Sequence, residues 1–376
     1  MRVLFVGAHI AKGGGQALQT LQLFRELQHS VDGTLICLDT PGIHRVETDD
    51  PNIHTVGKLV MPQGIFDLAR SLRAARGSYD LVQLLDAYYA LPASYLARSF
   101  PRAILLGIDP IIEVGDMYGP GLRWSAALGL PVLLRDTHVI VNAHSLTEAY
   151  RRYHPTVIEN GVDLARFDRL PERTAARAEL GLPINGPVLL LVCKVVPVKR
   201  VEWFLEVVRR IPEAHGVVVG GYDEERWASA YFHQLQVDSR DIRDRVTFVG
   251  EVRFEQVTRY LAAADVFVFP SRFEGRPNAI DEAMAAKLPV VASDIPAHRE
   301  MIVSGRNGYL APDVEGLTEA TRKLLGDASL RRQIGEAGAQ YIRENFSVAR
   351  EAEKFLALYR RILGGELPGS GPESAP

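Results

Sequence analysis

Residues 266–293 read VFVFPSRFEGRPNAIDEAMAAKLPVVAS. The first four are β-branched or aromatic and, with Pro270, read as a buried strand, and PVVAS at 289–293 reads as the next one. Between them Asn278 reads as a helix N-cap, with Asp281 and Glu282 in the first turn ahead of the run AMAA. A strand, a Gly-containing loop, a helix and a second strand make a parallel-sheet unit. Glu274 lies in the loop leaving the first strand, and Glu282 lies one turn into the helix. Bare N–H groups and the positive end of the helix dipole face any anion bound there, at the carboxyl edge of the sheet. The pocket suits a phosphorylated sugar, with Glu282 accepting from a ribose diol and Glu274 from hexose hydroxyls. Taken alone, Glu282 is also explained as dipole compensation.

Working outward, apolar runs of strand length alternate with segments of helical period, the pattern of parallel α/β sheets. Strands are predicted at residues 3–7, 34–38, 80–85, 103–108 and 138–142, and again at 187–193, 215–220, 246–250, 266–270 and 289–293. Two sheets of five or more strands follow. The stretch 163–186, polar and then carrying LGLP and INGP, reads as the interdomain connection. Residues 347–363 (SVAREAEKFLALYRRIL) form a helix with Ala352, Phe355, Leu356, Tyr359 and Leu363 on one stripe. The Gly-, Pro- and Ser-rich tail 364–376 is expected to be disordered. The expected division is 1–165 and 166–346, then the helix 347–363 and the tail.

A chain of 376 residues, 47% hydrophobic and 24% charged, can bury two cores. Its net charge of −3 offers no basic excess for nucleic acid. Cys37 and Cys193 lie in apolar strand-like runs without metal-ligand spacing, as in a reducing cytosol. RVLFVGA follows Met1 directly and is too short for a signal core, and no apolar run reaches membrane-spanning length. A cytoplasmic location is expected. Arg70, Arg73 and Arg76 recur every three residues, as a basic stripe for peripheral contact with the inner membrane face or as a solvated helix face.

Two lysines supply cations at the same sheet edge. Lys194 follows the strand at 187–193, and Lys199 opens a helix whose buried stripe is Val201, Phe204, Leu205 and Val208. Fixed cations aimed at a departing diphosphate lower its barrier by preorganised electrostatics. AKGGGQALQ at 11–19, directly after the first strand, lets backbone approach a ligand at a helix start through Gly14 and Gly15. It is not a GxGxxG fingerprint, which weighs against a nicotinamide dehydrogenase. No Asp-x-Asp occurs in the chain, so no metal is expected.

The string SRFEGRPNAIDEAMAAKLPVVASDIPAHREMI closely resembles the donor-binding signature of glycosyltransferase family 4. VIENGVD at 157–163, VCKVVPVKR at 192–200, VVVGG at 217–221, VTFVGEV at 246–252 and NGYLAP at 307–312 match further stations of that family in order. The resemblance implies an α/β GT-B architecture, two Rossmann-like domains facing across a cleft, with the terminal helix crossing back to the first. It implies a retaining, metal-independent enzyme that moves a hexose from a nucleotide-diphosphate sugar to an acceptor hydroxyl on a glycan, a lipid-linked carrier or a small molecule. Glu274, Lys194 and Lys199 would serve catalysis, with Gly275, the amides of Asn278, Ala279 and Ile280, and the loop at Val252 binding donor. Cys193 and Lys194 stand where the family usually has Gly-Arg, and Arg276 where it has a bulky apolar residue. That arginine would reach a phosphate or an acidic acceptor, or face solvent. Many relatives carry a histidine after the fourth strand; here Ile108 and Asp109 stand there, making Asp109, Asp86 or His9 candidates for contact with sugar or acceptor. A non-catalytic nucleotide-sugar-binding partner subunit and a nucleotide-sugar epimerase are the alternatives.

Overall fold

A computed structural model describes residues 1–7, 15–39, 50–107, 129–221 and 226–365. The chain forms two compact units: residues 1–161 together with 348–376, and residues 162–347. The tail beyond residue 365 lies outside the described residues.

In the first unit the described strands are β1 (Arg2–Gly7), β2 (Asp32–Asp39), β3 (Ile53–Lys58), β4 (Leu81–Leu84), β5 (Arg102–Leu106), β6 (His138–Val141) and β7 (Thr156–Val157). They pair parallel throughout, in the order β3-β2-β1-β4-β5-β6-β7. Helices α1 (Gly15–Leu27), α2 (Gln63–Ala74) and α3 (Ala90–Ala97) follow β1, β3 and β4. Two apolar layers result. One joins Leu4, Val6 and Leu84 to Leu68 and Leu72 of α2 and Leu91 of α3. The other joins Val3, Phe5 and Leu35 to Phe24 and Leu27 of α1 and to Phe355 and Tyr359 of the terminal helix.

In the second unit the described strands are β8 (Val188–Val192), β9 (His215–Val219), β10 (Val246–Gly250), β11 (Val266–Phe269), β12 (Val290–Ser293) and β13 (Tyr309–Ala311). The order β10-β9-β8-β11-β12-β13, again all parallel, is that of a doubly wound Rossmann sheet. Its helices are α4 (Arg173–Leu180), α5 (Val201–Arg210), α6 (Arg226–Asp238), α7 (Phe254–Ala263), α8 (Asn278–Ala285), α9 (Pro296–Arg299), α10 (Val314–Gly326) and α11 (Ala328–Asn345); α12 (Val348–Leu363) returns to the first unit. The strand cores VLLLV, HGVVV, VFVF and VVAS are apolar on both faces because helices cover both.

Three features of the fold differ from what the sequence leads one to expect. Residues 163–186 are not a linker. They contain α4, which packs on α7, and the buried Arg177 whose Nη2 donates to Asp265 Oδ2 at 2.6 Å, while that same oxygen accepts the Val188 amide at 2.8 Å. The first crossing falls at 161/162 rather than 165/166, and the Val162 amide donates to the Phe346 carbonyl at 2.8 Å beside the second crossing. The stripe of α12 turns inward through Ala352, Phe355, Leu358, Tyr359 and Ile362, and Leu363 is exposed. The helix also buries Glu351, whose Oε2 accepts from Gln19 Nε2 at 2.6 Å and from the Gly161 amide at 2.8 Å. Tyr359 donates to Gln83 Oε1 at 3.0 Å from full burial, which holds its phenol well above the ordinary range. Among the described residues no helix is long and apolar enough to cross a membrane.

Candidate functional site

The strand order of the second unit reverses between β8 and β11, and ligands of open α/β sheets bind outside the carboxyl ends of the strands at such a switch point. The chain leaving β8 passes Cys193, Lys194 and the buried Val195, then makes a single turn of 3-10 helix at Pro197–Lys199 before α5. Arg200 takes a left-handed φ of 49° to enter that helix. Close approach of the β9 end holds the turn: Gly220, at φ 134°, packs so tightly that a Cβ there would lie 1.8 Å from the Cys193 carbonyl oxygen. Desolvation in this packing pushes the Cys193 thiol up to about 12, so it stays protonated and unreactive.

The chain leaving β11 runs alongside. Ser271 Oγ lies 3.2 Å from the carbonyl oxygens of Val198 and Phe273, and the Arg272 amide donates to the Val198 carbonyl at 2.8 Å. These bonds stitch the two loops together next to Lys199 and Glu274. Lys199 Nζ donates to Glu274 Oε1 at 2.5 Å and stands 5.7 Å from the centroid of the Phe269 ring. The Glu274 side chain is 7% exposed and that of Lys199 is 20% exposed, so the pair is shielded but reachable. Lys194 is exposed where the chain leaves β8.

Glu282, on α8, meets a partner that sequence reading missed. Arg166 Nη1 donates to Glu282 Oε1 at 2.7 Å, and the guanidinium lies over the Phe254 ring at 3.3 Å. Burial pushes the Glu282 carboxyl upward against the opposing pull of Arg166. Arg166 stands in LARF at 164–167, directly after the motif VIENGVD, and nothing in that string points to a partner 116 positions away.

Arg276 is corrected most. Its Nε and Nη2 donate to the two carboxylate oxygens of Asp281, each at 2.9 Å, and its guanidinium lies 3.9 Å from the centroid of Phe346. Both side chains are sealed, at 2% and 1% exposure, so Arg276 neither faces solvent nor reaches for a ligand. Asp281 accordingly does not compensate the helix dipole from solvent. The N-cap of α8 is Pro277 rather than Asn278, which is the first helical residue, and Ile280 donates its amide to the Pro277 carbonyl at 3.0 Å. Asn278 and Ala279 therefore begin the helix, with Gly275 buried in the loop before them. Val252 packs against the second core just past β10, at the same sheet edge.

In the first unit Asp86 Oδ1 accepts from the amides of Tyr88, Tyr89 and Ala90 at 2.6–3.1 Å, the work of a turn former. Gly15 is the first residue of α1; His9, Gly14, Ile108 and Asp109 lie outside the described residues.

Residues 186–327 match the protein family described as Glycosyl transferases group 1. The chain is 31% identical over 240 residues to the lipopolysaccharide core biosynthesis mannosyltransferase LpcC of Rhizobium leguminosarum bv. viciae, covering 62% of this chain and 67% of that protein. It is 30% identical over 382 residues to the alpha-maltose-1-phosphate synthase of Mycolicibacterium smegmatis, covering 93% of this chain and 96% of the relative. Among solved structures, sucrose-phosphate synthase from Thermosynechococcus elongatus superposes with a TM-score of 0.82 at 23% identity, over 97% of this chain and all of that one. HepE of Anabaena in complex with UDP-glucose superposes with a TM-score of 0.79 at 20% identity, over 96% and 99% of the two chains. Both likenesses are of fold.

Proposed function

Because this chain belongs to the glycosyltransferase family described as Glycosyl transferases group 1, we propose that it moves a hexose from a nucleotide-diphosphate sugar to an acceptor hydroxyl with retention at the anomeric carbon. The observation that carries this reading is the Lys199–Glu274 pair at the switch point, with Glu282 on the helix that follows Glu274. Lys199 and Lys194 stabilise the charge that grows on the departing diphosphate. Glu274 receives the hydroxyls of the transferred sugar, and Glu282, steadied by Arg166, receives the ribose diol. The bond from the anomeric carbon to the phosphate oxygen breaks as the acceptor oxygen bonds to the same face. The acceptor proton passes to the released phosphate oxygen. Lysine charge does the work a metal would otherwise do, so chelation with EDTA leaves the rate unchanged.

The test is a thermal-shift screen against UDP, GDP, ADP and TDP, with and without sugars, followed by a transfer assay with the stabilising donor. Saturating one diphosphate at about a hundredfold over its Kd should add about 2.7 kcal/mol of stability. Turnover with retained configuration supports the reading. Binding without turnover assigns the chain to the non-catalytic partner subunits, and a change of sugar configuration without transfer makes it an epimerase.

A lipid-linked acceptor and peripheral membrane contact belong to the same reading, supported by one face of the first unit. Helices α2 and α3 lie side by side, with Arg73 Nη2 donating to the Leu96 carbonyl at 2.9 Å and Arg76 Nη2 to the Ala97 carbonyl at 2.6 Å. Those two arginines cap α3, and Arg70 is the one of the three whose side chain is 79% exposed. Phe66, one turn before Arg70 on α2, and Met61, just ahead of that helix, are each 54% exposed, and Leu96, whose carbonyl accepts from Arg73, is 43% exposed. Apolar side chains flanked by cations suit an anionic lipid surface. Phe66→Asp with Met61→Asp should lower co-sedimentation with phosphatidylglycerol vesicles by about tenfold; absence of sedimentation by the unaltered protein removes the membrane from the picture.

A further inference from the structure

His298 has no place in the chemistry just described. It sits in α9, the short helix after β12, with no exposed surface, and its ring packs edge-to-face on Phe269 with centroids 5.6 Å apart. Phe269 is the same ring over which Lys199 stands. The imidazole Nδ1 lies 2.7 Å from the carbonyl oxygen of Ser293. A carbonyl only accepts, so Nδ1 carries the proton and Nε2 is left as an acceptor. Ser293 donates its hydroxyl to the Ser271 carbonyl, and Ser271 Oγ contacts the carbonyls of Val198 and Phe273. The ring is thereby registered to both loops that carry Lys199 and Glu274.

Nε2 itself is buried without a hydrogen-bond partner. An acceptor left that way destabilises the unliganded fold and calls for an explanation. What it lacks is a donor, and sugar hydroxyls are donors. We propose that His298 Nε2 accepts a hydrogen bond from a hydroxyl of the transferred hexose, which makes His298 a specificity-determining residue; the inference rests on the transferase reading above. The charges of Lys199 and Glu274 both act on this imidazole, and the two side chains hydrogen-bond to each other. A bound diphosphate draws Lys199 toward itself, sugar hydroxyls replace it at Glu274, and the sugar gains its way to Nε2.

Two measurements test this. The first uses the unaltered protein labelled with 15N-histidine: a saturating nucleotide sugar (UDP-glucose, GDP-mannose or ADP-glucose, whichever binds) should shift the His298 Nε2 resonance in the direction of an acceptor gaining a donor, beyond any change that the corresponding diphosphate causes by displacing Lys199. The second is calorimetry on variants. His298→Asn keeps an amide that can donate to the Ser293 carbonyl but has nothing at the Nε2 position. It should bind diphosphate as the parent does and lose about ten- to a hundredfold in affinity for the nucleotide sugar. His298→Gln, whose amide reaches further, should recover part of the loss. An unmoved Nε2 resonance, or equal affinity changes for both ligands, overturns the proposal and leaves His298 as a loop support. If the unaltered protein binds no nucleotide sugar, the transferase reading falls, and this proposal with it.

Discussion

Arg276→Ala is expected to cost the second unit about 3–5 kcal/mol, read as a lower midpoint in chemical denaturation with an unchanged slope. The guanidinium makes two 2.9 Å hydrogen bonds to Asp281 and lies over Phe346, and neither charged side chain touches solvent. Removing the cation takes from a carboxylate at 1% exposure the opposite charge that offsets its burial, and that lost compensation dominates the effect. Asp281→Asn alone should be destabilising for the mirrored reason. The double replacement by apolar residues should recover much of the deficit, because a buried pair contributes little net stability over a hydrophobic substitute. The same experiment decides between the structural role and the ligand-binding role that the sequence suggests. A ligand contact would lose affinity and leave the denaturation midpoint where it was.

The largest effect on turnover is expected at the Lys199–Glu274 pair. Lys199→Ala should lower kcat by about a hundred- to a thousandfold, the range found when one fixed donor to developing charge is deleted. Glu274→Gln preserves shape while removing the negative charge that holds Lys199 at 2.5 Å. It should reduce kcat/KM by a similar factor and raise KM for the donor more than for the acceptor. The two losses should not add, since each variant already disables the shared pair. Full activity in either variant would place the chemistry elsewhere, and steady-state kinetics with the donor found by thermal shift settles it.

Several parts of this molecule were legible in the chain. Strands apolar on both faces, such as VLLLV and VFVF, announce themselves because two covering helices leave no polar face. Others were silent for physical reasons. The edge strand β3 is half exposed along IHTVGK and has no apolar run to betray it. β7 is two residues long, and β13 was seen as the motif NGYLAP but not as a strand. Residues 163–186 have the Gly and Pro content of a loop, and it takes tertiary contacts, such as that of the buried Arg177 with Asp265, 88 positions away, to show that they belong to a core. Arg276 could not be placed without knowing that Asp281 turns inward, and Arg166 could not be paired without folding the chain onto Glu282, 116 positions away. The spacing of Glu274 and Glu282 located the site, while the identity of each partner cation was a tertiary matter.

The return of α12 to the first unit has a consequence for how the protein is made. Phe355 and Tyr359 complete a core whose other members, among them Val3, Phe5 and Phe24, are translated well before the second unit. The first unit therefore begins to emerge before the second and is completed after it, with one apolar face uncovered until α12 is translated. Residues 162–347 form one continuous segment and contain everything their own core needs, so they can close while the earlier half still waits. A chain arrested before residue 348 would carry a finished second unit and an unfinished first one, and that exposed face would be the natural client of a chaperone.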